Sequence, residues 1–164
     1  MDLTILIPTL NEAENIARLL PQVEAAIEGI GAAYEVIVVD GGSTDGTAET
    51  ALRNNSAVRI IRQQRPGYGG ALLEGFRHAR GDYVITLDAD LSHDPRIIPS
   101  LWGARDGSEV VIGSRYVPGG EARMPPGRKL LSLLLNAFFR RGLSLPLRDL
   151  SSGFRLYRTA TIRS

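Results

Sequence analysis

Val36-Ile37-Val38-Val39 is an unbroken β-branched run between Glu35 and Asp40. A run with no polar alternation suits a parallel strand covered on both faces. Parallel neighbours cannot be joined by a tight hairpin, so such a strand commits the chain to crossover helices. The rest of the sequence agrees. Leu3-Thr4-Ile5-Leu6-Ile7-Pro8, Val58-Arg59-Ile60-Ile61-Arg62, Tyr83-Val84-Ile85-Thr86-Leu87 and Val110-Val111-Ile112-Gly113 read as further strands. Between the first two strands, Ile16, Leu19, Leu20, Val23 and Ile27 keep the 3.6-residue period of a helix with one apolar face. Asn11 followed by Glu14 has capping-box spacing, which predicts Asn11 as the N-cap. Further helices are expected from about Thr47 to Asn54, from Gly69 to Arg80, and briefly after Pro95. This alternation predicts an α/β fold, Rossmann-like, with a mostly parallel sheet and helices on both faces. The 164 residues suffice for one domain with a proper core.

Open α/β sheets bind ligands beyond the carboxyl ends of their strands. Asp88-Ala89-Asp90 stands at such an end. Two hard oxygen donors there suit Mg²⁺ or Mn²⁺ carrying a pyrophosphate, the alternative being a solvated Asp-rich turn. Asp40 is placed likewise, either to bind a ligand or to open the turn Gly41-Gly42-Ser43-Thr44-Asp45-Gly46. Gly67-Tyr68-Gly69-Gly70 lacks the full dinucleotide or P-loop pattern and reads as a tight entry to the next helix.

A net charge of +1 conceals an asymmetry, since residues 1–114 carry nine Arg against 16 Asp/Glu, whereas 115–164 carry ten Arg/Lys against Glu121 and Asp149. The basic final third favours an anionic partner. The acidic remainder would repel a nucleic-acid duplex, and no nucleic-acid-binding module is visible. No apolar run reaches the roughly 18 residues that read as a membrane span. The N-terminus shows no export signal, and the absence of cysteine excludes disulfides and thiolate metal sites. From Val117 to Gly127 three Pro and three Gly predict a loop. Arg128 to Arg141 then reads as a helix that is apolar around most of its circumference. Its polar positions Arg128, Ser132, Asn136 and Arg140 fall four apart and form one stripe. That stripe either faces water or presents donors to a phosphate, for which Arg is well suited.

Taken together, Ile7-Pro8-Thr9-Leu10-Asn11-Glu12, Val39-Asp40-Gly41-Gly42-Ser43-Thr44-Asp45-Gly46-Thr47 and Asp88-Ala89-Asp90-Leu91-Ser92-His93 resemble the inverting GT-A glycosyltransferases of family 2. Gly113-Ser114-Arg115-Tyr116, Arg128-Lys129 with Ser132 and Asn136, and Asp149 with Ser152-Gly153-Phe154-Arg155-Leu156-Tyr157-Arg158 narrow the resemblance to polyprenyl-phosphate glycosyltransferases of the dolichol-phosphate mannose synthase kind. The resemblance implies a GT-A domain whose residues 1–114 hold nucleotide sugar and metal and whose residues 115–164 hold the acceptor phosphate. It makes Pro8, Thr9, Leu10, Glu12, Asp40, Gly69, Asp88 and Ala89 candidate donor contacts, and Asp88, Asp90 and Ser92 candidate ligands of a divalent metal, Mg or Mn. Ser92 could instead cap the helix after Asp94-Pro95. Arg115, Arg128 and Ser132 become the acceptor-phosphate set, with Asp90 and Arg115 at the chemistry. His93 reads as a residue beside the site rather than a ligand, His78 as a solvated helix position, and Arg155 either helps close the site or lies on a surface strand.

The implied reaction is attack of a polyprenyl- or dolichyl-phosphate oxygen on the anomeric carbon of a nucleotide sugar, GDP-mannose or similar, at the cytoplasmic face of a membrane. The alternatives are a glycan or other hydroxyl acceptor, and a non-catalytic nucleotide-sugar-binding piece. The chain departs from the family pattern in three places. Gly41 replaces a customary carboxylate, Leu10 an aromatic, and the sequence stops at Ser164 where relatives continue, as expected of a truncated catalytic piece.

Overall fold

A computed structural model describes residues 1–54, 57–113 and 152–163. In chain order these form β1 (Leu3–Thr9), α1 (Ala13–Glu28), β2 (Tyr34–Asp40), α2 (Thr47–Asn54), β3 (Val58–Arg62), α3 (Tyr68–His78) and β4 (Tyr83–Thr86). A 3₁₀ turn (Pro95–Ile97) runs into α4 (Ile98–Gly103), followed by β5 (Val110–Ile112), β6 (Arg155–Arg158) and α5 (Thr159–Arg163). The strands and helices expected within the described residues are thus found, with ends shifted by one or two residues. The strand order among the described residues is β3-β2-β1-β4-β6-β5. β1 pairs in parallel with both β2 and β4, and β2 with β3. β6 runs antiparallel between β4 and β5, so the last strand in sequence sits inside the sheet. Phe154 and Leu156 are buried on one face, and Arg155 and Tyr157 between and after them are more open.

The period of two divides each apolar strand between two cores. Ile5, Ile7, Val36, Val38, Ile85 and Leu156 pack with the predicted α1 face, Ile16, Leu19, Leu20, Val23 and Ile27. Leu6, Ile37, Val39 and Val84 face the other way, toward Ala71 of α3. That second layer is close because Gly75 has no side chain. A Cβ there would lie 2.1 Å from Leu6 Cδ1. At the amino ends of the strands, buried Glu35 is satisfied by Thr4 Oγ1 (2.9 Å) and the Arg80 N–H (2.7 Å) on Oε1, and by Arg59 Nη1 (2.6 Å) on Oε2. A buried carboxylate needs such partners. They tie β1, β2, β3 and the approach to β4 together at the end opposite the ligand edge.

The start of α1 corrects the sequence reading. Glu12, not Asn11, is the N-cap, and it makes no side-chain cap bond. Asn11 lies at φ +54, and its Oδ1 accepts the Thr44 N–H at 2.9 Å. The exposed helix-end amides are met instead by the loop after β2. Asn11 N–H donates to Ser43 Oγ (2.9 Å), Glu12 N–H to Thr47 Oγ1 (2.9 Å) and Ala13 N–H to Asp45 Oδ2 (3.0 Å). A tertiary contact supplies what a local cap would have supplied, because the two loops leave adjacent parallel strands at one edge.

The Thr47 hydroxyl, first among several donors, holds the Asp45 carboxyl below its ordinary pKa, with the Ala13 N–H next. A carboxylate pKa lowered on folding stabilises the fold above the usual carboxylate range near 4, and this stabilisation disappears as pH falls through the lowered value. Asp45→Ala should therefore lower the melting temperature at pH 7, and thermal scans toward acid pH should show its gap to wild type closing.

Candidate functional site

β1, β2 and β4 are parallel, so Thr9, Asp40 and the segment after Thr86 reach the same edge of the sheet. The neighbours of β1 lie on opposite sides, and this is the switch point at which open sheets form a crevice. A cleft of about 480 Å³ opens at this edge of the sheet, lined by Pro8, Thr9, Leu10 and Gly41 and by the stretch from Gln63 to Tyr68. Pro8 is half-buried and Leu10 is 58% exposed, so an apolar side chain stands open at the rim. Thr9 is buried, its hydroxyl donating to the Val39 carbonyl at 3.3 Å.

Asp40 is engaged in its own turn. Its carboxylate accepts the Ser43 N–H at 3.1 Å, the Gly42 N–H at 3.3 Å and the Ser43 hydroxyl. Glu12 sits beyond the cleft wall at the head of α1, accepting from Asn15 Nδ2 at 2.6 Å. Gly69 is the second residue of α3 and has open space where a Cβ would be. The glycine demanded by packing is Gly70, whose Cβ would lie 2.1 Å from the Arg65 carbonyl oxygen.

Asp88 is approached by two side chains. Its Oδ1 accepts the Tyr68 hydroxyl at 2.8 Å, and its Oδ2 lies 3.9 Å from His93 Nδ1. Tyr68 also lines the cleft, so one phenol spans from the cleft wall to the aspartate pair. Burial, and then the charge of Asp88, push the Tyr68 phenol up, and it stays a donor across the neutral range. Gly153 completes the setting, since a Cβ there would meet Asp88 Oδ2 at 2.6 Å and the Tyr68 hydroxyl at 2.8 Å. The backbone of Gly153 is held in turn, its carbonyl accepting from Thr86 Oγ1 at 2.6 Å.

Ala89 is buried in the core, so Asp88 and Asp90 flank an anchored residue. Asp90 is exposed, with Oδ1 accepting the Ser92 N–H at 2.9 Å across Leu91, which lies at φ +59. A left-handed leucine is costly and is kept only where its surroundings impose it. Ser92 does not cap the following turn. Asp94 does so, accepting the Arg96 N–H at 2.9 Å, while Ser92 Oγ lies 3.1 Å from His93 Nδ1. His93 is buried, its ring against Phe154 and its Nε2 3.4 Å from Ser152 Oγ. His78 is exposed, 3.3 Å from Glu74. Arg155 donates from Nε to the Ser152 carbonyl at 2.7 Å.

The chain leaves the described region at Gly113 and re-enters at Ser152, and the two points are tied together. Ser152 Oγ donates to the Gly113 carbonyl at 2.9 Å, and the Gly113 N–H to the Phe154 carbonyl at 2.9 Å. Arg115, Arg128 and Ser132 lie outside the described residues, as do the loop and helix expected between 117 and 141. Among the described residues no three acidic, His or Cys side chains gather as a metal site, and no helix is long and apolar enough to cross a membrane. Tyr68, Gln63 and Gly153 escaped the sequence reading as site residues. The signal for Tyr68 and Gly153 was the Gly67-Tyr68-Gly69-Gly70 cluster and the Ser152-Gly153-Phe154 motif, neither of which says what it touches, and Gln63 carried no signal in the sequence.

Comparison with known proteins gives the family and the fold. The chain is 42% identical to a dolichol-phosphate mannosyltransferase of Pyrococcus furiosus over 80% of its length, and 38% of that protein is covered. It is 37% identical to an undecaprenyl-phosphate mannosyltransferase of Micrococcus luteus, covering 100% of this chain and 69% of the relative. A glucosyl-3-phosphoglycerate synthase from Mycobacterium tuberculosis, crystallised with Mn²⁺, UDP and phosphoglyceric acid, superposes with a TM-score of 0.74 at 25% identity, over 97% of this chain and 56% of that one. The fold is therefore GT-A. The sequence model for "Glycosyl transferase family 2" matches residues 4–163, and the chain belongs to that family.

Proposed function

We propose that this chain is the GT-A catalytic domain of an inverting transferase that moves a hexose, mannose from GDP-mannose by preference, to a polyprenyl or dolichyl phosphate. The carrying observation is the placement of the Asp88-Ala89-Asp90 turn beside a cleft at the switch point, joined to it through Tyr68. Residues 1–114 form the donor half and 115–164 the acceptor-phosphate region of one domain. The mannosyltransferase names of the relatives above support the lipid-phosphate acceptor.

The residues present fit a divalent metal. Each aspartate has one oxygen taken by a neutral donor and a second that accepts no such bond among the described residues, which leaves two hard ligands at neighbouring positions. Magnesium-type sites characteristically combine one or two carboxylates with substrate phosphates, so a third acidic side chain is not required. Asp88 and Asp90 would hold the cation, with Ser92 a further oxygen, and the cation would supply a Lewis acid for the departing diphosphate. Tyr68 fixes the rotamer of Asp88, and Gly153 leaves room for it. Pro8, Thr9 and Leu10 wall the place of the nucleotide, while Glu12 and Asp40 brace the loops behind it.

The acceptor needs little activation, because a phosphate monoester with its second pKa near 6 is largely ionised at pH 7. Arg115, Arg128 and Ser132 would orient it, which overcomes the repulsion between two anionic reactants. The segment carrying them begins and ends at the Gly113–Ser152 junction, and Ser152 precedes the Gly153 that abuts Asp88. A basic final third also favours the anionic surface of a membrane at its cytoplasmic face.

A radiolabelled-sugar transfer assay with Mn²⁺ and polyprenyl phosphate tests the reading. Asp90→Ala should reduce transfer at least about a hundredfold, the scale of losing one electrostatic stabiliser of the leaving group. Unaltered turnover in that variant would remove the metal role of Asp90. Arg128→Ala should raise the KM for lipid phosphate more than it lowers kcat. Transfer to a free sugar or other hydroxyl acceptor, with none to lipid phosphate, would replace the proposed acceptor.

A further inference from the structure

The cleft that Pro8 and Leu10 line carries a second polar device. Gln63 follows β3, and its carboxamide nitrogen donates to the main-chain carbonyls of Arg65 and Gly67, the latter at 2.8 Å. Both partners are acceptors, so the NH₂ group must face them and the amide orientation is settled by the network. Oε1 therefore points the other way, and among the described residues no donor is bound to it. It lies 3.0 Å from the position a Cβ would take on Gly41, where Thr9 O and Leu10 Cδ1 are also within 3.5 Å. Because Gly41 has no side chain, nothing on that residue covers this oxygen, and Gln63 and Gly41 both line the cleft.

Resting on the nucleotide-sugar reading above, we infer that Gln63 is a base-discriminating residue, whose fixed amide oxygen accepts a ring N–H from the nucleobase. An amide with both hydrogens committed offers the ligand an acceptor and nothing else. Guanine N1–H and uracil N3–H satisfy it, whereas adenine N1 and cytosine N3 oppose it with a lone pair. A site built to hydrogen-bond a ligand N–H rejects an analogue that leaves its buried polar group unpaired. Gly41 belongs to the same device. A methyl group there would stand over Oε1 or displace it.

The test is calorimetric titration of GDP, UDP, ADP and CDP in the presence of Mn²⁺ into the wild-type chain and into Gln63→Met and Gly41→Ala. The wild type should bind GDP or UDP at least about tenfold more tightly than ADP and CDP, the scale of one hydrogen bond with an unsatisfied counterpart. Both variants should reduce that ratio several-fold, Gly41→Ala without touching the loop bonds of the amide. Equal affinity of the wild type for all four nucleotides overturns the inference. So does a Gln63→Met protein that loses affinity for all four alike, which is the result of a purely structural role. Failure of the wild type to bind any of the four overturns the nucleotide-sugar reading itself, and this inference with it.

Discussion

The parallel pairing of β1 with β2 on one side and β4 on the other governs the rest of the structure. It sends the carboxyl ends of three adjacent strands to one edge of the sheet, and it parts their crossover helices to opposite faces, where they leave a crevice. Every polar contact of the candidate site follows from that meeting of loops. The edge is kept in place from the opposite end by buried Glu35, whose three hydrogen bonds hold β1, β2 and β3 in register at their amino ends.

The loops at the ligand edge are made rigid by each other rather than by their own sequences. Asp40 folds its turn with Ser43, and that turn delivers Ser43, Asp45 and Thr47 to the first amides of α1. The cap of a helix and the rim of the cleft are thus the same atoms. On the other side of β1, the antiparallel β6 brings Gly153 against Asp88, and Tyr68 reaches over from α3. Asp88 is met by two elements distant in sequence, while among the described residues Asp90 is held by the turn at Leu91. The first carboxylate is the fixed one, and the second is the more adjustable.

What the sequence disclosed and what it hid have physical causes. The strands, the buried face of α1 and the placement of Asp88-Ala89-Asp90 were legible because hydrophobic period is a local property of the chain. The cap of α1 was misread as Asn11 because capping propensity is also local, whereas the donors were satisfied by a loop about thirty residues away. The internal position of β6 was hidden because a late strand can add at an edge or insert, and four residues do not distinguish the two. Gln63 and Tyr68 were invisible as site residues for a similar reason, since their importance lies in what they touch across the cleft. The missing side chain at Gly41 was noticed as a departure from the family, but its neighbour Gln63 became apparent only in three dimensions.

The central claim is that the Asp88–Asp90 turn and the adjoining cleft form one donor site. Anomalous diffraction from crystals grown with Mn²⁺ and a nucleoside diphosphate tests it directly. The account predicts a single manganese peak shared by the Asp88 and Asp90 carboxylates and the diphosphate, with the base lying between Leu10 and Gln63. A diphosphate bound elsewhere, or bound in the cleft with manganese touching neither aspartate, would contradict it.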